Sequence, residues 1–276
     1  MGFQAKIICD SIAPNGKRLT TIEATYPRFI HSEIMTHRDR ARNSASSRAI
    51  PWPKMLERIT NDPVIPIRFG SEQKGMQTGG EIDDPETARA VWLLARDHAI
   101  AAAQRLAELG VHKSICNRLT EPWMWITVVM TATEWKNFFR LRCHPDAEIH
   151  FQQIAGMIRE AMANNTPTES GTHGNHLPYV TDVDLYELSQ GPYSIDQIRK
   201  ISVARVARVS YLTQSGIRDP HEDLKLFDRL VQGSGFGHFS PHEHIATPAM
   251  SATDRSGPFL GWKQFRKEFP LENEEG

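Results

Sequence analysis

The sequence has few cysteines, which narrows the chemistry and the compartments that suit it. Cys9, Cys116 and Cys143 are the three that it contains, and no two of them form a C-x-x-C pair. This argues against a disulfide framework and against a dithiol redox centre. We expect the three side chains to be buried apolar fillers in a reducing compartment, which predicts a cytoplasmic protein.

The sequence also has no long hydrophobic run and no excess of one charge. No stretch approaches the ~20 apolar residues of a membrane-spanning helix, and the N-terminus lacks a charged region followed by an apolar one. The 32 basic and 33 acidic residues give a formal net charge of -1. Because nucleic-acid-binding proteins usually carry a basic excess, any phosphate affinity must be local. We therefore expect neither a membrane nor a nucleic acid as partner.

Turn residues and β-branched residues predict a mixed α/β organisation. We expect strands over 3–9 and 18–26, joined by a turn that contains proline, asparagine and glycine. The β-branched and aromatic run 123–130 predicts a further, buried strand. After it, Thr131 or Thr133 is expected to cap a short helix.

Helix signals are clearest after residue 84. Asp84 suits the N-cap, Pro85 the first helical position and Gly110 the residue after the last turn, so a long helix is predicted between them. Other helices are predicted from about Arg28 and over 145–162, 194–212 and 219–232. The first of these is expected to carry the arginine-rich segment or to end at it.

Residues 164–180 are rich in asparagine, threonine, glycine, proline and histidine, and are predicted to form a long loop. Loops of this length often act as lids or binding loops. We expect His173 and His176 to lie at the surface or in a lid rather than to bind a metal.

The segment 36–48, THRDRARNSASSR, combines arginines with short polar side chains. Arg38, Arg42 and Arg48 carry planar guanidinium groups that match phosphate or carboxylate bidentately. Its serines and Asn43 add short hydrogen-bonding groups and permit a close backbone approach. The alternative is a solvated helix face. Composition alone favours that alternative, but the residue types suit an anion, and the resemblance described next makes a phosphorylated small molecule the expected ligand.

This segment resembles the signature R-H-R-x-x-S-x-N-E-x-S-x-R of the flavin-dependent thymidylate synthases. The residues at matching fixed positions are His37, Arg38, Asn43, Ser46 and Arg48. Three fixed positions differ, with Thr36 in place of the first arginine, Ala41 in place of the first serine and Ser44 in place of the glutamate.

Two further segments strengthen the resemblance. Asn137 and Arg142, within TATEWKNFFRLR, have the spacing of a flavin-contacting residue and of the arginine that polarises the pyrimidine. ARVARVSY at 204–211 and GHFSPHEH at 237–244 are similar to the family elements A-R-x-S-[YF] and G-H-x-S-x-x-E-H. In the family the histidine element precedes the arginine motif, whereas here it follows. The order indicates a circularly permuted member.

The resemblance implies an FAD-dependent methyltransferase that makes dTMP from dUMP. Methylenetetrahydrofolate would supply the one-carbon unit and NADPH would reduce the flavin, while the protein orients and polarises. It also implies an α+β fold with a mixed sheet and long helices, and a homotetramer with shared active sites. We predict one catalytic domain over 1–276, in which 1–180 form the nucleotide part and 190–270 the histidine-element part.

Site residues carry over position by position. Arg142 is the predicted catalytic residue, because an arginine at the N3 and O4 edge of the pyrimidine makes C5 nucleophilic, an effect that could supply ~3 kcal/mol. The predicted cofactor-binding residues are His37, Arg38, Asn43, Asn137, Ser210, His238, His242 and His244. The predicted substrate-binding residues are Glu33, Ser44, Ser46, Ser47, Arg48, Arg118 and Arg142.

Two site residues have alternative interpretations. Arg118 and Arg142 bracket the buried strand, and a half-buried arginine requires a partner. For Arg118 that partner could be Glu121 or Glu134. Glu33 stands where the family usually has glutamine, and a carboxylate offers only acceptors. An acceptor suits the amino group of cytosine, so dCMP methylation or hydroxymethylation is the alternative reaction; otherwise Glu33 pairs with Arg38 or Arg42.

Other function classes also stay open. His238, His242 and His244 form H-x-x-x-H-x-H, which would suit a zinc-dependent hydrolase if they lay on a helix. Ser240-Pro241 interrupts such a helix, so we predict no metal. The three departures from the arginine signature leave an inactive nucleotide-binding paralogue, or a small nucleic-acid-binding accessory protein, as non-enzyme alternatives.

Overall fold

The computed structural model describes residues 2–169, 174–211, 218–232 and 237–269. A five-stranded mixed sheet with the strand order β3-β4-β2-β1-β5 lies at its centre. The strands are β1 Gln4–Ile12, β2 Arg18–Pro27, β3 Ala41–Ser44, β4 Trp125–Ala132, β5 Thr168–Glu169, β6 Ala246–Pro248, β7 Arg255–Ser256, β8 Phe259–Leu260 and β9 Trp262–Gln264. Strands β6 and β9 pair in one small sheet, and β7 and β8 in another.

Helices surround the central sheet. They are α1 His31–Ile34, α2 Trp52–Asn61, α3 Pro85–Glu108, α4 Lys113–Cys116, α5 Lys136–Arg142, α6 Ile149–Ala163, α7 Asp182–Gln190, α8 Ile195–Tyr211 and α9 Pro220–Gln232. Short 3-10 helices occupy residues 28–30, 117–123, 240–244 and 265–268.

Several predicted elements are confirmed. Strands β1 and β2 form an antiparallel hairpin, and β4 pairs with β2 along its whole length. Helix α3 begins at Pro85, where the Asp84 side chain accepts a hydrogen bond of 3.0 Å from the Thr87 amide. These elements were predictable because their turns and caps are local in the sequence.

The helical stretch predicted from about Arg28 is present and ends just before the arginine segment, but the segment itself is not helical. Helix α1 ends at Ile34, and the middle of the segment forms β3, which pairs antiparallel with β4. The edge of β4 that faces away from β2 offers backbone donors and acceptors to β3, and no local sequence pattern reveals this pairing. Beyond β3, residues 45–51 run toward α2 without regular structure.

Two helix boundaries differ from expectation, and one helix was not predicted. Thr131 and Thr133 do not cap α5, since the N-cap is Trp135 and has no side-chain bond. Helix α6 begins four residues after Pro145, at Ile149, because the Glu148 side chain caps it through the Phe151 amide at 2.9 Å. Helix α7 was missed, although Thr181 and Asp184 form a capping box that the sequence displays.

The two faces of the sheet carry different chemistry, because successive strand residues point to opposite sides. One face is apolar: Ile22 and Val128 join Phe138 of α5 and Phe151 of α6 in the main core. The other face is more polar and meets α8 and the 240–244 turn. There, the Asn43 amide of β3 donates to Val206 of α8.

No helix in the described part of the chain is long and apolar enough to cross a membrane. All three cysteines are free; Cys116 is buried as expected, whereas Cys9 and Cys143 are partly exposed. The described residues contain no group of three or more histidine, cysteine, aspartate or glutamate side chains that could hold a metal ion.

Candidate functional site

Strand β3 and helix α8 are joined through side chains that the sequence separates widely. The Asn43 Nδ2 donates to the Val206 carbonyl at 3.0 Å, and the Ser210 Oγ donates to the Asn43 Oδ1 at 3.1 Å. The Ser46 amide donates to the Ser210 carbonyl at 3.1 Å. Asn43 is therefore hydrogen-bonded within the protein at both ends of its amide, and it holds the arginine segment against α8.

A cleft of about 340 Å3 opens beside this contact. Three of the sequence segments singled out above contribute to its wall: the arginine segment, the second half of α8 and the histidine element. The lining residues are Asn43, Ser46, Arg48, Ala49, His112, Ala207, Ser210, Leu230, His238, Ser240 and Pro241. Sequence reasoning missed His112 and Leu230, which belong to no motif and reach the cleft only through the fold.

The lining of this cleft suits an anion. It contains no acidic residue, and Arg48 is exposed with no hydrogen bond or ion pair to its guanidinium within the described residues. The Ser46 Oγ accepts a bond of 3.3 Å from the Arg48 amide, which leaves its own proton free to donate. A guanidinium and a hydroxyl at one concave surface are groups that can bind a phosphate.

The other predicted phosphate ligands are directed elsewhere. Ser47 is buried, and its Oγ donates to Glu121 Oε1 at 3.3 Å. Ser44, at the end of β3, is half-buried and does not line the cleft. Arg118 is exposed, so its predicted half-burial is wrong. Its predicted partners pair with other cations, Glu121 with Arg28 at 2.9 Å and Glu134 with Lys17 at 3.7 Å.

Arg142 lies on the opposite face of the sheet from the cleft. Its Nε donates to His37 Nε2 at 2.9 Å, and its guanidinium carbon lies 4.4 Å from the centroid of the Phe151 ring. Burial, with Arg40 and Arg142 nearby, lowers the pKa of His37 to about 4. His37 is therefore a neutral acceptor that orients Arg142. The two terminal nitrogens of Arg142 have no hydrogen-bond partner within residues 2–169, 174–211, 218–232 and 237–269.

Glu33 lies close enough to Arg142 to interact with it electrostatically. Burial and the neighbouring Glu148 raise its pKa, and Arg142 opposes the shift. The predicted pair with Arg38 or Arg42 is not formed in the structure. Arg42 Nη1 instead donates to the carbonyls of Met35 and His37.

Two other predicted flavin ligands lie at the surface. Arg38 is exposed and has no ion-pair partner in the described part of the chain. Asn137 is also exposed, and its Oδ1 accepts a bond of 2.9 Å from Arg140. The structure thus forms two groups of predicted site residues, one in the cleft and one beside α5, with the sheet between them.

The three histidines of the 237–244 element have different environments. His238 is exposed and lines the cleft. His242 and His244 are fully buried in the 240–244 turn. The rings of Phe227, Phe239 and Phe269 surround His242 at centroid distances of 5.1, 5.2 and 5.0 Å. Burial lowers the pKa of both buried histidines to about 3, so both are neutral at pH 7.

His176 was wrongly predicted to be at the surface; it is fully buried. Its Nε2 lies 2.7 Å from Thr21 Oγ1, and its Nδ1 lies 2.9 Å from Ser11 Oγ. The long loop carries it back onto the sheet, where its amide donates to the Ala246 carbonyl at 2.8 Å. His173 lies outside the described residues.

A buried charge network that sequence reasoning missed holds α8 in place. Asp223 of α9 is fully buried and accepts bonds from Arg205 at 2.9 Å and from Arg208 at 2.8 Å. Arg205 also lies 3.3 Å from Asp184 of α7. Both arginines were visible in the A-R-x-S-like segment, but nothing local in the sequence pairs them with Asp223.

No family model matches the chain, and no curated protein matches it. Among solved structures, the chain is similar to a UMP/dUMP methylase PolB from Streptomyces cacaoi bound with 5-Br dUMP, at 15% identity and a TM-score of 0.45; the match covers 59% of this chain and 90% of that chain. A structure of the same enzyme bound with 5-Br UMP matches at 14% identity and a TM-score of 0.48, and covers 59% of this chain and 89% of that chain.

Proposed function

We propose that the protein transfers a one-carbon unit from methylenetetrahydrofolate to C5 of a pyrimidine deoxynucleotide in a flavin-dependent reaction, with dUMP as the substrate and dTMP as the product. One observation carries the proposal. Three segments that resemble the flavin-dependent thymidylate synthases, and that are far apart in the sequence, meet at one cleft whose lining contains Arg48 and no acidic residue. Methylation or hydroxymethylation of dCMP is the alternative reaction.

The residues present fit the ligands in part. A cleft of about 340 Å3 is at the small end of the range for ligand pockets, ~300–1,000 Å3. It suits one nucleoside monophosphate better than a complete FAD. Arg48 and Ser46 would bind the substrate phosphate, and His238 would line the same cleft beside the flavin. FAD, when bound, supplies the redox chemistry and NADPH its electrons.

The remaining predicted residues require a second copy of the chain. Arg142 and Glu33 lie across the sheet from the cleft, so one protomer does not assemble them with Arg48 around one ligand. We therefore include a homotetramer with shared active sites in the proposal. Helix α3 offers a surface for it, because Val91 and Leu94 on this helix are more than half exposed and exposed apolar faces of this kind mark interfaces.

In such a shared site, each protein group has a defined task. Arg142 would donate its terminal N–H groups to the O4 edge of the pyrimidine and stabilise the negative charge that develops there. The neutral His37 accepts the Nε–H of Arg142 at 2.9 Å and fixes the plane of the guanidinium. Arg48 would hold the phosphate at the other end of the nucleotide.

Replacing Arg48 by alanine is expected to weaken dUMP binding by roughly one to two orders of magnitude, because a charge-assisted bond to phosphate contributes ~1.5–3 kcal/mol. FAD binding is expected to stay within about twofold. Isothermal titration calorimetry with each ligand measures both. Arg118→Ala is the matched control, since Arg118 is also exposed but does not line the cleft. Equal losses in the two variants would contradict the assignment of Arg48.

The reaction and the base are tested together by FAD absorbance and by tritium release from C5. We expect reconstituted protein to show a flavin band and to release tritium from labelled dUMP faster than from labelled dCMP. Glu33→Gln removes the carboxylate that would favour the cytosine amino group. A wild-type preference for dCMP that Glu33→Gln reverses would establish the alternative. Nucleotide binding without flavin or tritium release would identify an inactive paralogue instead.

A further inference from the structure

A continuous chain of hydrogen bonds runs along the polar face of the sheet from Ser11 to His244. Ser11 Oγ lies 2.9 Å from His176 Nδ1, and His176 Nε2 lies 2.7 Å from Thr21 Oγ1. Thr21 Oγ1 lies 2.7 Å from Thr131 Oγ1, which in turn lies 2.7 Å from His244 Nδ1. Both threonines and both histidines are fully buried, so water does not complete these bonds.

The series of hydrogen bonds ends at an atom that has no hydrogen-bond partner. His244 Nε2 is buried and has no hydrogen-bond partner in the part of the protein that the structure describes. Leaving a buried polar atom unpaired is unfavourable, and native proteins seldom do so without a role for that atom. Whether Nε2 offers a proton or a lone pair depends on the tautomer of the ring.

Only two arrangements place one proton in every contact and also use both threonine protons within this hydrogen-bond chain. Burial lowers the pKa of His176 and of His244 to about 3, so each ring carries one N–H. Each threonine hydroxyl has one proton and takes part in two of the four bonds. If His176 carries its proton on Nδ1, then Thr21 donates to His176, Thr131 donates to Thr21, and His244 must donate from Nδ1.

The second arrangement reverses every bond. His176 then donates from Nε2 to Thr21, Thr21 donates to Thr131, and Thr131 donates to His244 Nδ1, which leaves the His244 proton on Nε2. If His176 is protonated on Nδ1 and His244 on Nε2, the contact between the two threonines holds no proton. In the opposite mixture one threonine accepts two bonds, and its own buried proton has no acceptor among these residues. Each mixture therefore loses a bond or leaves a buried donor unpaired, which is unfavourable. The two imidazoles therefore carry the same tautomer, although two hydroxyl groups separate them.

We propose that Ser11, His176, Thr21 and Thr131 form a tautomer relay that sets the hydrogen-bonding character of His244 Nε2. They are positioning residues, since none of them lines the cleft. The backbone supports this role, because the amide of His176 donates to the carbonyl of Ala246, two residues after His244. That Nε2 faces a bound nucleotide or flavin rests on the proposed function; the coupling between the two rings does not.

Nitrogen-15 NMR of the ligand-free protein tests the coupling directly, since protonated and unprotonated imidazole nitrogens have well-separated shifts. We expect His176 and His244 to show one shared tautomer, either both protonated on Nδ1 or both on Nε2. Opposite tautomers in the wild type would overturn the relay. Thr21→Val keeps the shape of the side chain but removes its donor and acceptor, and we expect at least one ring to change its tautomer.

Thr25→Val is the matched control. Thr25 pairs with Thr127 at 2.9 Å in the same strand pair and touches neither histidine. Both rings should keep their wild-type shifts in this variant, and thermal unfolding should show similar losses for the two valine substitutions. Unchanged shifts in Thr21→Val, or the same change in Thr25→Val, would overturn the relay.

Addition of FAD or dUMP tests the part that depends on the proposed function. In the complex the two rings should again share one tautomer in the wild type, and this agreement should be lost in Thr21→Val. Opposite tautomers in the wild-type complex would overturn the role of the relay in ligand binding. Failure of both ligands to bind, with shared tautomers in the free protein, would overturn the proposed function and support the relay.

Discussion

Replacing Asp223 by alanine is expected to lower the free energy of unfolding by about 3–5 kcal/mol, which is the usual cost of removing one partner from a buried ion pair. The carboxylate is fully buried and bonds to both Arg205 and Arg208. Without it, two buried guanidinium groups lose their nearest anion; Arg205 keeps the carboxylate of Asp184 at 3.3 Å. Urea denaturation with an unchanged m-value measures the loss.

Asp196→Ala on α8 is the control for this variant. Asp196 pairs with Lys200 at 2.7 Å, one turn along the same helix, and both side chains are partly exposed. Such a pair contributes ~0.3–0.5 kcal/mol. A loss at position 223 no larger than the loss at position 196 would show that the buried network contributes little to stability.

The Asp223 variant also tests how the cleft is held. Helix α8 supplies Ala207 and Ser210 to the cleft, and the same helix is anchored to α9 through Asp223. We expect Asp223→Ala to weaken dUMP binding under conditions in which the protein is still folded, because Ser210 and its bond to Asn43 shift with the helix. Unaltered binding would show that β3 alone positions the residues of the cleft.

Acid is expected to unfold the protein between about pH 6.5 and pH 4, because several histidines are buried in their neutral form. Burial lowers the pKa of His31 and His37 to about 4 and that of His176, His242 and His244 to about 3. In the unfolded chain these groups titrate near ~6.5. As the pH falls below that value the unfolded state binds more protons than the folded state, so stability decreases.

Each buried histidine changes the free energy of unfolding by at most ~1.4 kcal/mol per pH unit. With five such groups, a typical stability of ~5–15 kcal/mol is lost within a few pH units. Carboxylates lose their contribution at lower pH. Burial tends to raise the pKa of Asp184, but the bonds from Thr181 and the nearby Arg205 and Arg218 outweigh it and lower the pKa to about 2, so its share is lost only below about pH 4. Urea denaturation at a series of pH values measures the slope.

His242→Phe should reduce this slope by about one proton, since the ring sits among Phe227, Phe239 and Phe269 and its nitrogens have no partner within the described residues. His238→Phe is the control, because His238 is exposed rather than buried. Stability that stays constant from pH 7 to pH 5 in the wild type would contradict the neutral, buried state of these histidines.

Much of the fold was predictable where a few neighbouring residues decide the structure. The β1–β2 hairpin follows from its turn residues, and α3 from Asp84, Pro85 and Gly110. The capping box of α7 was equally local and could have been found. Strand β3 could not, because its four residues become a strand only by pairing with β4, which is distant in the sequence.

The candidate site was likewise predictable only in part from the sequence. The residue types of the arginine segment determined that an anion site was to be expected, and the resemblance of three segments to one family determined which residues to consider. The fold decided which of them meet. Arg48, Ser210 and His238 converge because β3 and the histidine element both pack on α8.

The sequence by itself determined the kinds of side chain available and the elements fixed by local turns and caps. Only the tertiary structure decided that Arg142 and Arg48 lie on opposite faces of the sheet, that Asp223 neutralises two arginines, and that His176 is buried in line with His244. The physical reason is that alternation along a strand assigns each side chain to a face only once pairing is known. Burial and long-range hydrogen bonds are properties of that pairing, and no local pattern encodes them.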